Sequence, residues 1–545
     1  LGNTRVEDPR HRVRVEGEQI VYDLDKNTIE VDSRKTFTAG QVKPVTLHVP
    51  SFVSQEDQPA NPNGIAVITG RKLTIDIRPN TNNIELEGDV HVIDDKFDLR
   101  SELLVLETPH DDSFFSESSD KLDRVNYIIA KNNVRATYDT RVLRCGQAEI
   151  RPEKDLLLLT GYPVMEALDS GARLSGYSIA MRKQARRVEV ESSPATEAER
   201  RRVQVSLPPL KTLATQRVEN KDTPPLLETT ITSDRLVMTE PEENLANFEF
   251  TGDILLNGVE LEGSCKKMDI LADTKKPQGP RNNARQGTSN AALIRSIVTV
   301  GDVRLGTKDY IAEGGRAEIF PRIALQEYST LDDNGMDGRE PQFITLSSDP
   351  TTPGVRPKLT IRSAPSLNLD DTSTEKKNNS GMGPITIESD FQEIIGGSER
   401  SRFFMRGNVL LHGKNLKGEC DTVEGIILSK PKTAPGRLAE YSLQKIIGRK
   451  NVHITADDNY ARGEMLEILP LQDKIYLSGQ PKVRSKDGIE TMSGDRIVYD
   501  SKTKNWEIEQ KPADPANQVV QPVIRIPFQK KFNLPDLKTK TNSAN

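Results

Sequence analysis

The chain has 545 residues, of which 35% are hydrophobic, 5% are aromatic and one is Trp. Apolar content spread this thin suits a repetitive body better than one thick core. With 75 Lys plus Arg against 81 Asp plus Glu, the net charge of −6 excludes the basic excess of a nucleic-acid-binding protein. No apolar run approaches the ~18 residues that cross a bilayer, so no transmembrane segment is expected in this stretch. Residue 1 is Leu rather than Met, so the chain reads as processed or excised, with a place for a signal peptide or membrane anchor ahead of it.

The chain opens on Gly17–Asp23, GEQIVYD, which returns as GDRIVYD at Gly494–Asp500, 477 residues later or three times 159. Residues 1–36 therefore read as the last hairpin of a preceding repeat unit. After a polar stretch at 37–64, one motif starts to recur: an alternating apolar run, then Gly/Asn-Asp/Asn-Val/Ile, then more alternation. It stands at Gly88-Asp89-Val90, Asn132-Asn133-Val134, Gly252-Asp253-Ile254, Gly301-Asp302-Val303, Gly407-Asn408-Val409 and Lys450-Asn451-Val452. A variant with proline third stands at Gly161-Tyr162-Pro163, Ser348-Asp349-Pro350 and Gly479-Gln480-Pro481.

The steps from 88 to 132 to 161 are 44 and 29, and those from 407 to 450 to 479 are 43 and 29. The middle set, 252 to 301 to 348, steps by 49 and 47. Three super-repeats of three hairpins follow, with units at 66–190, 227–365 and 384–510, and a disordered tail at 511–545. The second motif of each closes on one phrase: Glu149-Ile150-Arg151-Pro152, Glu318-Ile319-Phe320-Pro321 and Glu467-Ile468-Leu469-Pro470.

Inside each motif the period is two, which marks strands. Ile84, Leu86, Val90 and Val92 share one face, and Glu85, Glu87, Asp89 and His91 the other; Phe97 and Leu99 return after a turn at Asp94-Asp95-Lys96. The second unit repeats this with Phe248, Phe250, Ile254, Leu256 and Leu261 around Asn257-Gly258, a favoured hairpin turn. The third has Phe403, Met405, Val409, Leu411 and Leu416 around His412-Gly413. Val134, Val303, Leu305, Val452 and Ile454 take the same inward positions in the second motifs.

Thirteen residues after each standard motif start stands a small residue: Ser101, Cys145, Cys265, Gly314, Cys420 or Gly463. The proline variants carry Gly176, Ser363 and Gly494 two residues later. This points to a close backbone approach or a bend rather than to thiol chemistry. Helical periodicity is nearly absent; the best candidate, Ser193–Val203, reads as a loop. The polar stretches 37–64, 109–122, 191–225, 274–291, 330–340 and 366–383 read as surface loops. Hairpins with one apolar face must bury it against another sheet. The expected fold is all-β: an elongated antiparallel jelly roll or β-solenoid of three tandem super-repeats, two sheets wrapped over a shared interior.

The phrases Leu86–Leu99, Met405–Cys420 and Leu477–Asp500 resemble the OstA-like fold of the periplasmic bridge proteins of lipopolysaccharide transport. The resemblance covers the repeat units, about two-thirds of the chain, while this chain holds three units and a fragment where family subunits hold about one. It implies a non-enzymatic periplasmic bridge, with lipopolysaccharide or a related lipid as cargo and other envelope transport components as partners through edge strands. It also implies that the inward residues Leu86, Val90, Val92, Phe97, Leu99, Val134, Phe250, Ile254, Leu256, Leu261, Val303, Leu305, Met405, Val409, Leu411, Leu416, Val452 and Ile454 line an apolar groove. Shielding a chain from water is worth ~0.8 kcal/mol per CH₂. The same side chains also fit a filled core, as in a structural β-solenoid or envelope scaffold, and the two arrangements stay open here.

No cofactor or metal is expected. The six His, at 11, 48, 91, 110, 412 and 453, form no ligand pattern, and neither a GxSxG elbow nor a Walker loop occurs. The run Asp332–Gly338 lacks the closing Glu of an EF-hand and reads as a solvated loop. A carbohydrate-active β-helix would need a carboxylate pair on one concave face, and no acidic cluster rises above the outward alternation.

Overall fold

The computed structural model describes residues 4–8, 13–33, 44–50, 65–94, 97–109, 126–138, 140–168, 171–194, 200–207, 229–242, 244–258, 262–273, 294–306, 310–320, 342–348, 354–362, 384–396, 400–413, 416–430, 440–456, 459–486, 490–501, 503–509 and 523–524. Among these the protein is all-β, with no α-helix and two single-turn 3₁₀ segments, Pro152–Lys154 and Pro470–Gln472. Every described strand pairing is antiparallel, as in Thr81–Asp94 with Phe97–Pro109 and Arg400–His412 with Leu416–Lys430. The chain divides into two compact units. One comprises Leu1–Thr212, Lys221–Val303 and Glu318–Pro321, and the other Leu213–Asn220, Arg304–Ala317 and Arg322–Asn545.

The recurring motif is a corner rather than plain alternation. Its first two residues both adopt positive φ: Gly88 and Asp89 at 75° and 49°, Asn132 and Asn133 at 62° and 55°, Gly252 and Asp253 at 80° and 38°, Gly407 and Asn408 at 82° and 45°. Gly, Asn and Asp tolerate this left-handed region best, which is why the motif draws on them. The pairing register breaks at the same place, between Glu87 and Val90, Lys131 and Val134, Thr251 and Ile254, and Arg406 and Val409. Each long strand thereby bends into two arms, and the arms assemble into two ladders that meet along the corners.

In unit one the first ladder runs through Thr28–Asp32, Lys72–Ile77, 81–87, 103–109, 127–131, 147–151, Leu156–Thr160, Ser178–Arg182, Arg187–Glu191, Arg235–Glu242 and 245–251. The second takes the other arms, from Val45–Pro50 and Ile65–Gly70 through 90–94, 97–101, 134–138 and 141–145 to Val164–Ala167, Arg173–Ser175, Val203–Leu207 and Thr229–Ser233. The proline variant is thus a corner whose two arms are separate short strands. Unit two repeats the scheme, with Lys474–Ser478 and Lys482–Arg484 as the split arms after the strand Asn459–Leu469.

Three segments differ from the sequence expectation. Val45–Pro50 and Val203–Leu207, inside stretches read as loops, are ladder strands. Val523–Ile524, inside the segment expected to be disordered, pairs with Met492 and Ser493. Each is short and flanked by polar sequence, so periodicity had little to act on. Within Ser193–Val203 the described residues contain no helix, and the loop Asp332–Gly338 lies outside the described residues. In two copies, at 149–152 and 467–470, the Glu-Ile-x-Pro phrase ends a strand in a 3₁₀ turn, closed by the Asp155 and Asp473 backbone N–H groups on the Pro152 and Pro470 carbonyls.

Candidate functional site

The small residues sit at the apex, opposite the third motif residue: Ser101 faces Val90, Cys145 Val134, Cys265 Ile254, Cys420 Val409 and Gly463 Val452. There the ladders converge and space is shortest. A Cβ on Gly463 would stand 2.8 Å from the Ser478 carbonyl oxygen. The hydroxyl or thiol also has a role, for it donates to the carbonyl two residues on: Ser101 Oγ to Leu103 O at 3.1 Å and Cys420 Sγ to Thr422 O at 3.3 Å. Ser233 and Ser389 repeat the bond to Arg235 and Phe391, both at 3.1 Å. Burial pushes the thiols of Cys145, Cys265 and Cys420 up to about 11, 12 and 11, so they are neutral and poor nucleophiles at physiological pH.

Outside the apex, arginines grip the corner. Arg202 donates to the Gly252 and Asp253 carbonyls at 2.9 and 2.6 Å while pairing with Asp234 at 3.1 Å. Arg356 does the same at Asn408, 2.6 Å, with Asp390 at 3.2 Å.

Inside the corner, side chains line up across strands in rows. The row nearest the apex of unit one runs Leu73, Leu86, Leu104, Ala130, Ala148, Leu159, Ile179, Val190, Leu236, Phe250, Met268. All eleven are buried. The next row of the first ladder runs Ile84, Leu106, Ile128, Ile150, Leu157, Met181, Val188, Met238, Phe248. From Ile128 to Phe248 these side chains are half-buried. In the second ladder the matching row runs Val92, Leu99, Ala136, Leu143, Met165, Leu174, Val205, Ile231, Leu256. Here Leu143, Met165, Leu174 and Val205 are half-buried, while their neighbours at both ends are buried. The two half-buried stretches rise from the same hairpins, so the apolar interior of unit one is open to water over residues 141–207. Within it the first-ladder side spans three strand spacings from Ile150 to Val188, ~14 Å at ~4.8 Å each.

Short arms and modest side chains account for the opening. Leu156–Thr160, on the first ladder, has 5 residues, and Val164–Ala167 and Arg173–Ser175, on the second, have 4 and 3, against 7 and 5 in the corresponding arms 81–87 and 90–94, so the second row has less chain beyond it. Unit two has the same short arms but larger side chains. The offset 479 − 161 = 318 maps Leu157, Met181 and Val188 onto Ile475, Tyr499 and Trp506. Tyr499 stacks on Trp506 with ring centroids 4.8 Å apart, and Ile475 and Tyr499 are buried. The aromatic pair fills in unit two the space that Met181 and Val188 leave in unit one.

The residues singled out from sequence all lie on inward arms, apart from Leu261, which lies outside the described residues. Leu86, Val90, Val92, Leu99, Val134, Phe250, Leu256, Val303, Leu305, Met405, Leu411, Leu416, Val452 and Ile454 are buried, and Phe97 is half-buried. Ile254 and Val409 have 0% exposure. They form the sealed apex, whereas the accessible row, Leu143, Met165, Leu174, Met181, Val188 and Val205, was missed. A signal for it existed: Met165 stands two residues past Pro163 as Val92 stands two past Val90.

No family model matches the chain, and no curated protein does. Among solved structures the chain is similar to LptH from Pseudomonas aeruginosa, described as the LptA homologous periplasmic component of the conserved lipopolysaccharide transport device. Identity is 18%, over 26% of this chain and 91% of that one, with a TM-score of 0.18. No helix among the described residues is long and apolar enough to cross a membrane.

Proposed function

We propose that this chain is a non-enzymatic lipid carrier of the cell envelope, a periplasmic bridge for lipopolysaccharide or a related lipid, with acyl chains held in the open interior of unit one. The observation that carries the reading is the pair of half-buried apolar rows facing each other over residues 141–207. The ~14 Å stretch from Ile150 to Val188 is about half the ~30 Å thickness of a bilayer's hydrocarbon core, the reach of one leaflet's acyl chain. Each CH₂ taken from water there gains ~0.8 kcal/mol. Partners would be other envelope transport components, joined through strand edges.

A second reading, a filled-core scaffold, is favoured by the sealed apex at Ile254 and Val409. A photo-crosslinking residue at Leu174, with the outward neighbour Arg173 as control, separates them. The carrier yields lipid adducts in native envelope at 174 and not at 173, and these vanish when Met181→Tyr and Val188→Trp copy the plug of unit two. No adduct at either site in a folded chain, or adducts that survive the plug, would favour the scaffold.

A further inference from the structure

We infer that the outer face of the second ladder in unit one is a docking surface for an acidic segment of a partner protein, held by Arg100, Arg135 and Arg144. The three stand abreast on consecutive strands, Phe97–Pro109, Tyr127–Tyr138 and Arg141–Arg151. Arg100 lies directly opposite Arg135, and Arg135 directly opposite Arg144. Side chains so paired have Cβ atoms about 4.5–5.5 Å apart. Each Arg adjoins buried inward residues (Leu99, Val134 with Ala136, and Cys145), so all three point away from the interior, and all three are exposed.

Like charges directly opposite one another destabilise a sheet, so a row of three guanidiniums calls for an anion. The described residues supply little. Asp98 lies 3.7 Å from Arg100 but is held by His91 at 3.0 Å. Glu166 is on the next outward row, opposite Val142 and Arg173, and Glu102 stands at the corner, two residues past Arg100. Among the described residues neither Arg135 nor Arg144 forms an ion pair. Unit two has the same row with mixed charge. Offsets of 319 from the motif at 88 to that at 407, and of 318 from 132 to 450, turn the triplet into Glu419, His453 and Arg462, again directly opposite one another. Elsewhere on that row Lys358 faces Glu313 and Glu388, with one like pair, Arg462 opposite Lys482.

Peptide carboxylates fit this row. Alternate side chains of an extended segment project to one side ~6.6 Å apart, so three of them span ~13 Å. The arginine row spans two strand spacings, ~10 Å, and its long side chains cover the difference. A guanidinium fork binds a carboxylate through two parallel hydrogen bonds. On the same outer face Ile93 and Ile65 are 48% and 44% exposed, giving the charged row an aliphatic shoulder. Protein interfaces are enriched in Arg and depleted in Lys, as here. Faces that dock on bilayers add Trp, Tyr or Phe anchors, and none of these stands among the outward residues named above.

The test follows proton line widths of the peptide acetyl-Ser-Glu-Ser-Glu-Ser-Glu-Ser-amide as the full chain is added, with the Gln-for-Glu peptide as control. The Glu peptide should broaden, the Gln peptide should not, and the effect should fade as salt rises. Arg135→Gln should weaken binding about fivefold. Arg135→Glu makes the signs alternate along the row. It should abolish binding and raise the melting temperature by roughly 1–2 °C, so the loss is not one of folding. No broadening by a folded wild-type chain, broadening that survives Arg135→Glu, or a lower melting temperature in that variant would each overturn the inference. So would co-sedimentation of the wild type, and not of Arg135→Glu, with phosphatidylglycerol vesicles but not phosphatidylcholine vesicles, which would give the face to a membrane instead.

Discussion

At the scale of single residues, the apex is governed by size and by one hydrogen bond. Gly463→Val should lower stability by about 1–3 kcal/mol, read from the urea midpoint, because its Cβ alone would stand 2.8 Å from the Ser478 carbonyl. The thiols make a pH prediction. Their folded pKa values, about 11 to 12, lie above the unfolded value near ~8.5. Their contribution is therefore fully present below ~8.5 and is lost as pH rises through 11 to 12. Replacing Cys145, Cys265 and Cys420 by Ser, which makes the same bond at Ser101, should flatten the alkaline fall in melting temperature; an unchanged fall would refute the assignment. The small residue at a fixed offset was legible in the sequence because sterics leave a constant mark. Its bond to the carbonyl two residues on was not, because that carbonyl is freed only by the bend.

At the scale of elements, the bent strand is the building block, and its corner is held from both sides. Gly252→Ala should cost about 1–2 kcal/mol from its φ of 80° alone, with a further penalty from Asp234, whose Cβ would lie 2.8 Å away. Asn451→Gly, at φ 49°, should be neutral or stabilising in the same thermal melt. Arg202→Gln releases two corner carbonyls and should cost about 2 kcal/mol. The arms obey different rules. Ile254→Asp buries an unpaired charge and should destabilise by several kcal/mol, whereas Leu174→Asp, on a half-buried arm, should leave the fold near its wild-type midpoint and remove lipid capture. Alternation told which residues face inward, so Leu86 and Met405 were found. It could not tell a sealed row from an open one, since that depends on arm length and on whether Met181 or Tyr499 stands one strand away.

At the scale of the whole molecule, each unit carries its own buried rows, built from hairpins that contact chiefly their neighbours. Such arrays lose cooperativity as they lengthen. Calorimetry should therefore show more than one transition, with Ile254→Asp moving one and Val409→Asp another; a single transition shifted equally by both would argue for one cooperative body. The recurring corner was legible along the chain, but the placement of the opening was not, because it is a difference between repeats rather than a property of the repeat. The corner also sets a grammar for insertions and deletions. In each motif hairpin the inward residues flanking the bend are four apart on one strand and three on the next, as Leu86 to Val90 against Ser101 to Leu104. One residue gained or lost at a corner would turn a whole arm inside out. A residue added at a rim turn changes nothing in the count. Corners accept extra residues only where the two arms are separate strands, as between Glu191 and Val203, while a corner inside one continuous strand stays as a fixed ruler.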